Sequence, residues 1–326
     1  MKAILVERHG GPEVLRYTET QSPSPSEEQL LIDVSFAGVN YIDTYFRSGL
    51  YPSSVPYIPG SEGVGRVAYD PAGQLAAGTL VAFNEAQGSY AEQVVVKRGR
   101  VVTVPPEIDE PIAASMLLQG MTAHYLTESV YRVTSDTSLV VTAGAGGVGL
   151  VLTQMAAAQG ATIYSVVSTP EKADLAVQAG ATKAFTYSPD LAATIIAANG
   201  GVGVDVVYDG VGKDTFDFAL DVCRRRGLVC SFGSASGDVE PFDIQRLNRG
   251  GSLFLTRPSL GAYTATDEEF RARAQAVVAA VAAGTLKFRV NHVYPLAQAQ
   301  RAHEDLQRRA TTGSVVLKVA NCVLRF

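Results

Sequence analysis

Leu139-Val140-Val141-Thr142-Ala143 runs directly into Gly144-Ala145-Gly146-Gly147-Val148-Gly149. An apolar strand, a G-x-G-x-x-G turn and a helix in succession leave few folds open. The first glycine permits a tight turn, the second lets backbone approach a pyrophosphate, and the third lets the helix pack on the strand. Amides at the helix N-terminus then face an anion. A strand–helix turn without a ligand is the plainer alternative. Downstream the rhythm repeats, with strands expected at 162–167, 183–187, 204–208, 228–232 and 252–256. Helices expected at 170–179, 189–199 and 214–223 alternate with them. This pattern predicts an α/β fold with a doubly wound parallel sheet.

Residues 1 to about 107 read differently. Short strands at 30–34, 63–68, 80–83 and 93–96 are punctuated by Pro23, Pro25, Pro52, Pro56, Pro59 and Pro71. That spacing predicts a small irregular β-barrel or sandwich. Pro105-Pro106 closes it, and Asp109 with Pro111 opens a helix expected to run to Val130. After Pro258 come a helix at 268–283, a strand near Val293, a helix at 297–309 and a strand at 314–319. The expected division is therefore 1–120, a dinucleotide-binding domain at 121–260, and a return segment at 261–326 that completes the first domain. The apolar ending at 321–326 suggests no role.

Composition removes several classes of function. Lys and Arg total 27 and Asp and Glu 32, a net charge of −5, so a phosphate-backbone binder is disfavoured. The three cysteines, Cys223, Cys230 and Cys322, form no C-x-x-C pair, which excludes a disulfide framework and a four-cysteine zinc lobe. Met1 to Arg8 turns charged after four apolar residues, unlike a signal peptide. The alanine-rich stretch 276–283 is far shorter than the roughly 20 residues a membrane span needs. A cytoplasmic protein without membrane insertion is expected.

The second parallel strand decides which dinucleotide is expected. NAD sites place a carboxylate at its end, on the ribose 2′-OH. Here Ser168 holds that position and Lys172 lies one helical turn on. A hydroxyl and a cation suit a 2′-phosphate, so NADPH is expected. Lys172 also suits an ordinary solvated lysine, with Glu171 beside it. Arg309 is a second candidate cation.

A β-rich N-terminal part, a Rossmann part and a short return segment resemble the medium-chain dehydrogenase/reductase superfamily, which implies a GroES-like first domain. Zinc alcohol dehydrogenases of that superfamily carry a catalytic Cys and a Gly-His-Glu motif. This chain has Gly38-Val39-Asn40-Tyr41-Ile42-Asp43 and Gly60-Ser61-Glu62 at those places. His9, His124, His292 and His303 form no spaced ligand set, so no metal site is expected. Ala37 to Tyr45, Arg47 to Pro52, Gly88-Ser89-Tyr90-Ala91-Glu92, Gln119 to Ala123, Tyr208 to Gly212, Ser231-Phe232-Gly233, Thr256 to Leu260 and Arg309 to Ser314 are similar to zeta-crystallin-like NADPH:quinone oxidoreductases. Gln119 stands where family members often have lysine.

The resemblance implies that Asn40, Asp43, Tyr45 and Tyr51 border the nicotinamide cleft. It implies cofactor contacts from Asn40, Tyr45, Thr122, Gly144, Gly146, Gly147, Val148, Ser168, Lys172, Tyr187, Gly210, Phe232, Gly233, Ser234 and Arg309. Some of these stand on the residues alone. Tyr187 ends a strand where a ring can stack on adenine, and Gly210 and Gly233 end strands beside the switch-point crevice. Asn40 and Asp43 equally suit a cap or turn, and Tyr45 and Tyr51 equally suit half-buried tyrosines. The expected reaction is metal-free reduction of a quinone. Tyr45 and Tyr51 would form its wall, Asn40 would donate an amide N–H, and Arg257 would face developing charge on oxygen. An alkenal or enone reductase and a low-turnover NADPH-binding protein of crystallin or RNA-binding kind are the alternatives. The apolar last strand predicts a homodimer.

Overall fold

A computed structural model gives the fold and describes residues 1–319. The apolar ending and Cys322 lie outside the described residues. The chain opens with an antiparallel ribbon, β1 (Lys2–Leu5) against β2 (Arg16–Glu19). β3 (Gln29–Val39), helix α1 (Tyr41–Ser48), β4 (Gly63–Tyr69), β5 (Leu80–Phe83), β6 (Gln93–Lys97) and β7 (Val101–Thr103) follow. Helices α2 (Glu110–Ala113) and α3 (Met116–Tyr125) lead to β8 (Ser138–Thr142). Then come α4 (Gly147–Ala158), β9 (Thr162–Val167), α5 (Pro170–Gln178), β10 (Lys183–Thr186), α6 (Leu191–Ala198), β11 (Val204–Asp209), α7 (Phe216–Val222), β12 (Cys223–Ser231), α8 (Gln245–Arg249) and β13 (Phe254–Thr256). The remainder holds α9 (Leu260–Tyr263), α10 (Asp267–Ala282), β14 (Val290–Pro295), α11 (Ala299–Gln307) and β15 (Ser314–Lys318).

The chain forms two compact units, Met1–Met121 with the chain from Thr264, and Thr122–Tyr263. The second unit is a six-stranded parallel sheet in the order β10-β9-β8-β11-β12-β13. The strand order reverses between β8 and β11, which opens a switch-point crevice at their C-terminal ends. Val140, Val166, Val207 and Val229 of the sheet pack with Leu191, Ile195, Phe216 and Leu220 of α6 and α7. Burial on both faces explains why these strands read as continuous apolar runs.

In the first unit a seven-stranded sheet runs β14-β15-β3-β4-β5-β7, with β6 also on β3. β3 is eleven residues long and pairs with β15, β4 and β6, all antiparallel. Leu30, Ile32 and Val34 alternate into a core shared with Val94, Val96, Val315 and Leu317.

Three expectations need correction. The helix expected from Asp109 to Val130 is broken at Ala114–Ser115, and its last turn, Leu126–Val130, is a π-helix. Ser115 Oγ turns back on the Pro111 and Ile112 carbonyls there, which competes with helix propagation. Helix α7 stops at Val222, and the chain enters β12 at Cys223, five residues earlier than the strand expected at 228. Arg224 draws this stretch onto β11 through an ion pair with Asp205 at 2.6 Å. The third is α1, whose helix the sequence pattern did not suggest. Among the described residues no helix is long and apolar enough to cross a membrane.

Candidate active site

In the parallel-sheet unit, the glycine cluster links β8 to α4, with Gly146 at the N-cap and no side-chain cap on the helix. The first-turn amides are therefore open to an anion. A Cβ on Gly144 would overlap the Ser165 hydroxyl of β9, so a larger residue here must displace that side chain. A Cβ on Gly149 would lie 2.5 Å from the Ala143 carbonyl, which reflects the tight helix–strand approach. A Cβ on Gly146 would meet only that carbonyl, at 3.1 Å, and its other side is open. Gly147 and Val148 begin the helix itself. This cradle fits a pyrophosphate by shape and by donor set.

Across the switch point stands a residue to which the sequence reading assigned no role. Asp209, fully buried at the end of β11, accepts from Thr142 Oγ1 and Thr215 Oγ1 at 2.7 Å each. It also accepts from the Val211 and Gly212 amides at 3.2 and 3.1 Å. Gly210 N–H donates to Thr142 Oγ1 at 3.0 Å. One carboxylate thus ties the end of β8 to the loop after β11. Gly210, Phe232 and Gly233 converge here. A Cβ on Gly233 would lie 2.5 Å from the Gly210 carbonyl, and one on Gly210 would lie 2.9 Å from the Phe232 ring. Ser234 is buried one residue on.

At the end of β9, Lys172 Nζ donates to Ser168 Oγ at 3.2 Å, so these two residues do come together. Thr169 caps α5 by accepting from the Lys172 amide. Tyr187 follows β10, 40% exposed, in a cavity of about 450 Å³ with Leu191, Thr215 and Phe218. Thr122 is buried in α3. Arg257 follows β13, with Nη1 on the Pro258 carbonyl at 3.2 Å.

The β-rich unit holds a second constellation. The Tyr45 and Tyr51 rings lie 5.2 Å apart and tilted, Phe46 meets Tyr51 edge-on, and Tyr41 lies 5.9 Å from Tyr45. The Arg309 charge acts on Tyr41, whose hydroxyl burial holds above the usual phenol range. Asn40 precedes α1. Its Nδ2 donates to Glu62 Oε1 at 2.7 Å, while Glu62 Oε2 accepts the Leu118 amide at 2.9 Å. Burial pushes the Glu62 carboxyl up to about 8, against the pull of those two donors, so it is protonated at neutral pH.

Asp43 does cap α1, since its Oδ2 accepts the Asn40 N–H at 2.8 Å. The same oxygen accepts from Tyr90 Oη at 2.9 Å. Tyr90 Oη meets His303 Nε2 at 3.1 Å, and His303 Nδ1 meets Arg47 Nη1 at 3.0 Å. Burial raises Asp43 to about 6 and, aided by the Arg47 charge, lowers His303 to about 3. Sequence reasoning missed Arg47, Glu62, Tyr90 and His303 as a group. The available signal was polar residues inside apolar surroundings, such as His303 beside Ala302 on a helix. Gln119 accepts from Ser314 Oγ at 2.8 Å.

Among the described residues no group of three or more His, Cys, Asp or Glu side chains could hold a metal ion. Glu62, which ends Gly60-Ser61-Glu62, is engaged by Asn40 and Leu118. Cys223 and Cys230 are free and buried, and burial holds both thiols well up.

A six-stranded parallel sheet with a glycine cradle, on a chain with a separate β-rich unit, defines a medium-chain dehydrogenase/reductase. Residues 26–106 match the alcohol dehydrogenase GroES-like domain and residues 147–282 the zinc-binding dehydrogenase family. A quinone oxidoreductase of Pseudomonas aeruginosa is 39% identical over 97% of this chain and 99% of its own length. The Escherichia coli quinone oxidoreductase complexed with NADPH superposes with a TM-score of 0.94 at 39% identity, over 98% of this chain and 100% of that one. A mycobacterial protein complexed with NADPH gives 0.95 at 45% identity, over 98% and 100%. The chain belongs to the quinone oxidoreductases of this superfamily and is an oxidoreductase.

Proposed function

We propose that this enzyme reduces quinones with NADPH and without a metal ion. When bound, NADPH supplies a hydride from C4 of its nicotinamide. The open amides of Gly147 and Val148 take the pyrophosphate, Gly146, whose own amide is held by the Ala143 carbonyl, lets it approach, and Ser168 and Lys172 take the 2′-phosphate. Tyr187 supports the adenine. Thr122, Gly144, Gly210, Phe232, Gly233 and Ser234 line the rest of the dinucleotide's path at the switch point. In the β-rich unit, Asn40, Tyr45 and Arg309 serve the cofactor as well. Tyr45 and Tyr51 form the apolar wall against a flat quinone, with Asn40, Asp43 and Arg257 as its polar and charged partners.

The observation that carries this reading is the Tyr45–Tyr51 wall beside an Asn40 amide pinned by Glu62, at the positions where metal enzymes of the superfamily place ligands. Glu62 takes one Nδ2 hydrogen, so a quinone oxygen would receive the other. The edge strand β13 supports a homodimer, and use of NADPH fits a cytoplasmic enzyme. The test follows NADPH and NADH oxidation with benzoquinone, a naphthoquinone and an alkenal in parallel. Quinone turnover with preference for NADPH is expected. Turnover of the alkenal alone would replace the quinone reading with the enone-reductase one, and turnover of none would leave a binding protein.

A further inference from the structure

Asp43 and Arg47, one turn apart on α1, are joined through His303 and Tyr90 from two other segments into one buried hydrogen-bonded row. Donor chemistry fixes its direction. A guanidinium has no acceptor, so His303 Nδ1 must accept from Arg47 and the ring proton must sit on Nε2. Nε2 then donates to the Tyr90 oxygen, which leaves the Tyr90 O–H for Asp43 Oδ2. That oxygen also receives the Asn40 N–H, the start of the helix that carries Tyr45. Arg47 is itself fixed, by the Gly10 carbonyl and by Gln307 Oε1.

We propose that Arg47, His303 and Tyr90 are positioning residues for quinone reduction, which hold Asp43 as an acceptor and through it the Asn40–Tyr45 end of α1. The proposal rests on the reading that Asn40 and Tyr45 serve the reaction. The row cannot reverse, because His303 Nε2 already carries a hydrogen and Arg47 occupies Nδ1. The Tyr90 O–H and the Asn40 N–H therefore both rest on Asp43 Oδ2. A carboxylate accepts from them more strongly than a carboxylic acid does, so protonation weakens both bonds at the cap of α1.

Burial raises the Asp43 carboxyl to about 6, while the Asn40 and Tyr90 bonds pull it down. The other groups around it are settled at that pH. Glu62 is neutral below about 8, and Tyr57, raised by burial to about 12, is neutral as well. His303 is neutral above about 3, and Arg47, with Glu13 acting on it, is the one cation in the row.

The experiment measures kcat/KM for benzoquinone from pH 5 to 9 on the full-length enzyme. The wild type should lose activity below about pH 6. Tyr90→Phe removes the donor to Asp43, so its acidic limb should move up by about one pH unit, about a tenfold loss near pH 6 with less loss near pH 8. His303→Leu leaves the Tyr90 O–H in place but loosens its hold, so its limb should move in the same direction by less. His303→Gln keeps an acceptor for Arg47 and a donor for Tyr90, and should keep the wild-type profile. Should His303→Leu fail to fold, Tyr90→Phe against His303→Gln decides. Unmoved limbs, or a His303→Gln limb shifted like that of Tyr90→Phe, would overturn the proposal while leaving quinone reduction intact. A wild type without quinone turnover would overturn both.

Discussion

Glu62 shows what one buried side chain does to the molecule. Its carboxyl, near 8 when folded against 4.5 as the ordinary value, holds a proton that the unfolded chain releases. The stability tied to that proton is full below about 4.5 and is lost as pH rises through about 8. His303 works the other way. Held near 3, it stays neutral in the fold, and its contribution is lost as pH falls from 6.5 toward 3. In Glu62→Gln the dependence at the alkaline end should vanish. The amide offers one acceptor where Asn40 and Leu118 both donate, so the variant should start about 1–2 kcal/mol less stable. Melting curves at pH 6 and pH 9 should then show a steeper decline for the wild type. Parallel declines would contradict the protonated carboxyl. Glu62 was visible in the sequence as the end of Gly60-Ser61-Glu62, but nothing local indicates that its second oxygen meets Leu118, 56 residues away.

Among the elements, the same contact acts with Ser115 in breaking the expected helix: Ser115 ends its first part and Glu62 starts the second. Leu118 lies in the first turn of α3, where helix amides have no internal partner. Glu62 supplies that partner from a different part of the chain, so a fresh helix start is stabilised inside a run that reads as one helix. Helix α1 escaped notice because its tyrosines and short length give a weak helical pattern, and its cap is fixed by Asp43 and Tyr90 together. The β8–α4 turn is the opposite case, where local sterics decide. Gly144→Ala would press a methyl onto the Ser165 hydroxyl, at a cost of about 1–3 kcal/mol, and should weaken NADPH binding. Ser165 Oγ has no hydrogen-bond partner among the described residues, so adding Ser165→Gly removes the clash without breaking a described bond. Calorimetry and NADPH titration should show partial recovery in the double variant. A Gly144→Ala protein as stable as wild type would refute the steric reading of this turn.

Assembly turns on one sheet edge. β13 ends the parallel sheet with Phe254 63% exposed, and an apolar edge strand invites pairing with another chain. Light scattering at micromolar concentration should give a dimer, and Phe254→Lys should give a monomer that still binds NADPH. A monomeric wild type would rule out the pairing. The parallel sheet, the glycine cradle and the pairing of Ser168 with Lys172 were all legible along the chain. Apolar periodicity, tight-turn sterics and a one-turn helical spacing all act between near neighbours in the chain. The early start of β12, the break before α3 and the buried row from Arg47 to Asp43 come instead from contacts between distant segments. The Arg47–His303 bond spans 256 positions, and its partners are chosen by which strands and helices share a unit, which no local pattern encodes.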